Sequence, residues 1–413
     1  MPAELKQVRF PVETGLLLAF CVFLPLVEFW KSAALLAYVL AWLANRLRTG
    51  SIGKAWGWWD TLAVLWIGSA YLAAAFAGLD GRAWAKTGDL AAQTLLLWLV
   101  MRAGYSEKEL RWVLGALVAS TVAGVALGYG RIWSGAGKTG LLQLYSVGQV
   151  NHTAIYIAIM LGVCASWLFA RWQRWGPGRR LMAPVVVALM LAALVSTTSR
   201  GALAVGFLLL LILAVAWWPR WRVPLAASVI CIMLVAAMLV GLGAGVVQKQ
   251  IEYAATQKNS LSFRDGIWRM GFAAWEKYPW FGVGKDNYGR ITQDLVRGWR
   301  VAAGEDYDAS RFVRAPHAHS LYVNTLAERG IVGFGALAAL LLAWLAALLR
   351  HRPRPAAADF TWLAWGGAAS AWIVTAGVGV VNTTFHHEHG LLAALLLGLW
   401  LSSLPIRSGR RAS

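Results

Sequence analysis

Charge is scarce in this sequence. Only 14% of its 413 residues are Asp, Glu, Lys or Arg, against about 25% in a soluble globular chain. That excludes an ordinary soluble domain. Cysteine is nearly missing: Cys21, Cys164 and Cys231 each sit inside an apolar run. They build no disulfide framework and carry no information on redox compartment. A leader cleavage site is missing too. The first apolar run, from Thr14 to Phe29, has no small-residue processing signal and leads into a second run, so it reads as a retained helix. Acidic residues number 19 against 38 basic ones, a net charge of +19. In a soluble chain that surplus would indicate nucleic acid; beside apolar runs it fits basic loops held on one side of a bilayer.

Nucleotide motifs fail on inspection. "GAGKTG", Gly135 to Gly140, lacks the glycine that a phosphate loop needs five residues before Gly137, because position 132 is Ile. "GVGKDNYG", 282–289, has no strand–helix unit around it and is not a dinucleotide fingerprint.

What the chain does have is apolar length. Hydrophobic residues make up 59%, in runs near the roughly 20 residues that cross a bilayer. Twelve spans are expected, at 13–29, 32–47, 60–78, 87–104, 111–128, 152–170, 181–199, 201–218, 223–247, 330–349, 359–380 and 390–406. All should be helices, since lipid offers backbone groups no partner. The expected architecture is an all-α polytopic membrane protein. Residues 1–413 form one integral membrane domain, and 248–329 form a long loop between spans 9 and 10 that carries short helices. With the N-terminus in the cytoplasm, short cytoplasmic segments hold 20 Lys and Arg against 6 on the other side. Both termini are then cytoplasmic and the long loop external. Trp56, Trp58, Trp59, Trp172, Trp175, Trp217, Trp218 and Trp221 flank the basic loops, as interfacial anchors do.

Histidine placement is asymmetric under this topology. Only His351 falls on the cytoplasmic side; His152, His317, His319, His386, His387 and His389 fall at external ends of spans. Arg200, in "STTSRGAL", lies at the same level between two apolar runs. It reads either as a snorkelling interfacial arginine or as one facing a cavity or partner. Within the loop, Ile267, Met270 and Ala274 recur at helical spacing, giving an amphipathic helix from about Phe263 to Lys277. Arg264 then sits in its first turn, where the helix dipole does not favour a cation. An anionic ligand is one reason for it, and a surface pair with Asp265 or Glu276 the other. "EDYD", Glu305 to Asp308, reads as a solvated loop more readily than as an Asp-x-Asp metal site. "FHHEHG", Phe385 to Gly390, reads as a polar rim: adjacent helical residues point about 100° apart, so one ion could not collect all its histidines.

"PHAHSLYVNTLAERG", Pro316 to Gly330, is the densest polar stretch beside an apolar run. Pro316 fits the first position of a helix. His319 would then lie in the first turn, on a face with Tyr322, Val323 and Leu326, with Glu328 opposite above Asn324 and Thr325. A helix start disfavours imidazolium, so a neutral His319 could accept a proton near pH 7, and the free N–H groups could attract a diphosphate. Two interfacial histidines on an amphipathic turn is the alternative.

"HSLYVNTLAERGIVGFG" resembles the His-(Asn/Ser)-x-x-Leu…Glu-x-Gly signature of the O-antigen ligase and polymerase superfamily. "TTSRGAL" is similar to its Ser-Arg-Gly motif, and "RDGIWRMGFAAWEKYPWFGVG" to its Arg-x-x-x-Trp…Pro-x-x-Gly-x-Gly segment. "GQVNHTAIY" is similar to its Asn-His element. The first three occur in the family's order, most strongly over 195–340, with Ser320 where Asn is commoner. The resemblance implies a GT-C-like membrane glycosyltransferase of the bacterial inner membrane with its active site on the periplasmic face. It implies an O-antigen ligase that moves a glycan from undecaprenyl diphosphate to lipid A–core oligosaccharide, inverting the anomeric carbon without metal, nucleotide or other cofactor. His319 is implied as general base, chosen over His317 by its spacing to Glu328 and Gly330. Arg200 and Arg264 are implied to hold the diphosphate, with His317, Asn151, His152 and Tyr322 as further substrate contacts. An O-antigen or exopolysaccharide polymerase and a protein O-oligosaccharyltransferase share the signature. A twelve-helix transporter or flippase fits less well, because no repeat relates the two halves.

Overall fold

The computed structural model describes residues 11–52, 55–79, 81, 83–136, 140–171, 174, 176–217, 263–354 and 356–404. The span expected over 223–247, with Cys231, lies outside them, as does the loop up to residue 262. The described residues form thirteen α-helices and no strand. In chain order these are α1 (Pro11–Phe23), α2 (Glu28–Thr49), α3 (Trp58–Ala75), α4 (Ala83–Arg102), α5 (Glu107–Trp133), α6 (Val150–Arg171), α7 (Pro177–Val195), α8 (Arg200–Ala216), α9 (Arg264–Lys277), α10 (Gln293–Ala302), α11 (Leu321–Arg350), α12 (Asp359–Val378) and α13 (His387–Ser403).

Every apolar segment expected outside 223–247 is helical. By length and composition alone, α5, α6 and α11 are apolar enough to cross a membrane, while α1, α8 and the apolar part of α7 are shorter. The protein is a helical membrane protein. Several of the other helices carry Trp, Gly or ionisable residues, which lower their hydropathy. α6 is almost wholly buried and packs on α7, α8, α12 and α13; α4 packs on α13, and α3 on α11.

Ionisable groups inside such a bundle are costly unless paired, and several are paired across helices. Arg102 of α4 donates to Asp60 of α3 at 2.5 Å, and Trp98 adds a second bond at 2.7 Å. Lys31 of α2 reaches both Glu28 and Glu388 of α13. Arg329 of α11 stacks over Trp66 of α3, 4.0 Å from the ring centroid, and bonds the Trp66 carbonyl and Ser69.

α11 is interrupted at Gly330 (φ 59°, ψ −162°). The backbone of "YPWFGVG" wedges into the break. Ile331 and Val332 donate to the carbonyls of Pro279 and Trp280 at 2.8 and 3.3 Å, while Val283 and Gly284 donate to Ala327 and Glu328 at 2.9 Å each. The orphaned amides of the break are thus satisfied. A Cβ on Gly330 would collide with the Trp280 backbone, and one on Gly282 with the Ala327 carbonyl. This wedge fixes the loop helices α9 and α10 to the top of α11. A second, smaller core of Ile267, Met270, Val283, Tyr288, Val296 and Val323 lies between them.

Candidate active site

The N-termini of α6, α8, α11 and α13 meet at one end of the bundle, and with them come six of the seven histidines. Arg200 is the first residue of α8 and is exposed. Arg264 is the first residue of α9, with Phe263 in a left-handed conformation (φ 61°) at the N-cap. The Arg264 Nε donates to the Val381 carbonyl at 2.9 Å. Burial lowers the Arg264 pKa from the usual arginine value, and the adjacent Arg200 lowers it further. Two cations from different segments are therefore close enough to act on each other electrostatically.

The histidine turn differs from its expected form. α11 begins at Leu321 and not at Pro316. Ser320 is its N-cap: the hydroxyl accepts from the Val323 N–H at 3.4 Å and donates to the Gly379 carbonyl at 3.3 Å. His319 thus precedes the helix, in a left-handed conformation (φ 47°), and shares no helical face with Tyr322. The turn is held by tertiary bonds that override local helix preference. Asn324 Oδ1 accepts from the Ala318 N–H at 3.0 Å, and Trp268 of α9 donates to the Ala318 carbonyl at 3.0 Å.

The His319 ring lies 4.2 Å from that of His317, centroid to centroid. Burial lowers the His319 pKa and the positive charge of Arg264 lowers it further, while a hydrogen bond with Asn382 works in the opposite direction. The balance favours the neutral ring, and its buried Nδ1 has no hydrogen-bond partner among the described residues. Burial, assisted by His319 and His387, holds His317 down at about 4.

His317 also faces a cavity of about 200 Å³ between α3, α4, α11 and the start of α13. Its walls include Trp66, Asp89, Gln93, Lys285, Asp286, Glu328 and His387. Glu328 is 3% exposed and pairs with Lys285 at 3.3 Å, so it is a charged brace in the wall. His317 therefore stands between this polar cavity and His319, with Arg264 and Arg200 beyond.

The remaining expected site residues have other surroundings. Tyr322 is half-buried, and its hydroxyl donates to the Ala376 carbonyl of α12 at 2.8 Å. Asn151 is half-buried in the first turn of α6. His152, next to it, is buried against His386, His387 and His389, with ring centroids 4.9, 5.0 and 5.3 Å away. Asp308 of "EDYD" caps Ser310 with its carboxylate, as a loop residue does.

The turn after α12 is what the motifs missed. Gly379 and Asn382 accept from the Leu321 N–H at 2.7 and 3.1 Å; Val381 receives Arg264 and crowds Gly201 beside Arg200; Asn382 reaches His319. One short segment thus touches all three supports of the site. Its signal in the sequence is faint: "VNTT", a polar run after an apolar helix. A second signal lies in the backbone. The six non-glycine residues with left-handed backbone among those described are Thr198, Phe263, Asp286, His319, Phe385 and His387. Each lies within two residues of Arg200, Arg264, His319 or His386, or lines the cavity. Such conformations cost about 1–2 kcal/mol per residue and concentrate at functional sites.

A comparison with curated proteins finds none that matches the chain. A model of the O-antigen ligase family matches residues 185–338, the stretch that contains Arg200, Arg264, His317, His319 and the Gly330 break. Over that stretch, a little over a third of its length, the chain is similar to the O-antigen ligase family.

Proposed function

We propose that this protein is an inverting, metal-independent membrane glycosyltransferase. It transfers O-antigen glycan from undecaprenyl diphosphate to lipid A–core oligosaccharide at the periplasmic face of the bacterial inner membrane. The observation that carries the reading is the convergence of two arginines and a neutral histidine from three separate segments. The donor brings its own activation as a diphosphate leaving group. The acceptor hydroxyl oxygen attacks the anomeric carbon while the bond to the diphosphate oxygen breaks. The His319 imidazole takes the hydroxyl proton, and the diphosphate leaves with the bonding electrons. Arg200 and Arg264 meet the charge that develops there; charge-assisted bonds of this kind are about twice as strong as neutral ones and act where charge appears in the transition state. The cavity beside His317 suits the acceptor saccharide. It offers carboxylates, an amide and an aromatic wall to sugar hydroxyls, and lipid tails lie alongside in the bilayer.

A positioned base is typically worth about 10²–10⁴ in rate. Purified His319→Ala, given lipid-linked glycan and lipid A–core, is expected to lose at least about 100-fold in transfer. Full transfer by that variant would refute the base assignment. A polymerase is the second reading, favoured by the same family match. Donor supplied without lipid A–core separates the two: chain growth marks a polymerase, and no reaction marks a ligase.

A further inference from the structure

Behind the cavity wall lies a cluster that the transfer reaction does not use. The first turn of α6 supplies His152, and the start of α13 supplies His386 and His389. One ring nitrogen from each of the three lies within 4.8 Å of the other two. His386 and His389 are 4.8 Å apart by ring centroid. Helical spacing alone could not unite the histidines of "FHHEHG"; the third ligand comes from another helix.

Two further observations point to a ligand. His389 is 1% exposed, and both its ring nitrogens lack a hydrogen-bond partner among the described residues. A neutral imidazole carries one donor and one acceptor, and buried polar groups are rarely left in that state. In addition, the Nε2 of His386 lies 2.8 Å from the Thr383 carbonyl. A carbonyl can only accept, so Nε2 carries the proton and Nδ1 presents its lone pair. Metal-ligating histidines are oriented in this way by an outer carbonyl or carboxylate.

We propose that His152, His386 and His389 bind one divalent transition-metal ion of the zinc class. Three imidazoles suit Zn²⁺, Ni²⁺ or Cu²⁺ and not the oxygen-seeking Mg²⁺ or Ca²⁺. Zinc–nitrogen bonds of about 2.0–2.1 Å set tetrahedral ligand atoms roughly 3.3 Å apart, so small ring rotations close the site. The nearby cations do not oppose an ion at full strength, because Lys31 is paired with Glu28 and Glu388, and Lys285 with Glu328. Water takes the fourth position. The ion is structural. It ties α6 to α13 and fixes the His386–His387 edge of the cavity, and the transfer step proceeds on Arg200, Arg264 and His319 without it.

The test uses the full chain, purified in detergent through a tag without histidine, stripped with chelator and then given Zn²⁺. Elemental analysis after desalting is expected to find about one zinc per chain, and Co²⁺ to give the visible spectrum of a tetrahedral site. His152→Ala and His389→Ala should each weaken zinc binding by more than about 100-fold, since even outer partners of a metal site are worth 10–100-fold. His387→Ala, at an exposed position, should retain the ion. His152→Asn, checked for monodispersity, replaces either alanine variant that fails to fold. The proposal is overturned by zinc-free wild-type chain at micromolar Zn²⁺, by unchanged affinity in the His152 and His389 variants, or by loss of the ion in His387→Ala. Metal content is read without turnover, so the result stands apart from the transferase assignment.

Discussion

His319 owes its state to opposing neighbours. Burial and Arg264 favour the neutral ring, and Asn382 favours the protonated one. A general base works unprotonated, so kcat/KM should fall as pH drops through its pKa, and that acidic limb lies below the usual histidine value. Asn382→Ala removes the interaction that raises the pKa. Its acidic limb is therefore expected to move to lower pH, which a pH profile of kcat/KM reads directly. An unchanged limb would detach Asn382 from the base. His319, Arg264 and Arg200 stood out as candidates in the sequence because charged and titratable groups are conspicuous in an apolar chain. Asn382 and Asn324 did not. Each is an amide whose role exists only through a tertiary contact, and nothing local separates them from any polar residue at a helix end. Ser320 is intermediate: its position was visible, but its work as an N-cap was not, since the helix start was placed five residues early.

Among the elements, the broken α11 is the most exposed to test. Gly330 occupies a backbone region that is essentially glycine-only and costs about 1–3 kcal/mol for other residues, and the Trp280 backbone fills the space where a Cβ would go. Gly330→Ala is expected to destabilise the protein by at least that amount in thermal unfolding and to abolish transfer, because the wedge that aligns α9 with the histidine turn is displaced. Gly335→Ala, five residues on, meets nothing within 4 Å and should be neutral. Equal behaviour of the two would remove the wedge from the account. Helix existence was readable because apolar runs in lipid have one outcome; the amphipathic pattern of α9 was readable for the same kind of reason. The break was not. Gly330 in "AERGIVGFG" looks like any glycine in a membrane helix, and only the returning segment 279–284 makes it a hinge between a short loop helix and a long span.

At the scale of the whole molecule, one end of the bundle holds the histidines and the paired arginines. The other holds Asp60 with Arg102 and Glu13 with Arg46. The proposed topology turns the first end outward. With Cys231 replaced by Ser, and Cys21 and Cys164 buried, Asp286→Cys should react with a membrane-impermeant thiol reagent in intact spheroplasts. Arg354→Cys should react only after lysis. The reverse pattern would invert the topology and place the chemistry in the cytoplasm. The turn at 379–384 has a consequence of its own. It lies beyond the stretch that matches the family model, yet it anchors Arg264, crowds the start of α8 and contacts His319. During synthesis the arginines and the histidine enter the membrane first and the residues that align them enter late. A nascent chain halted before this turn would carry every reactive group and still be inert. On the proposed function, the order of translation would keep a half-built transferase from acting on its donor before the aligning turn is in place.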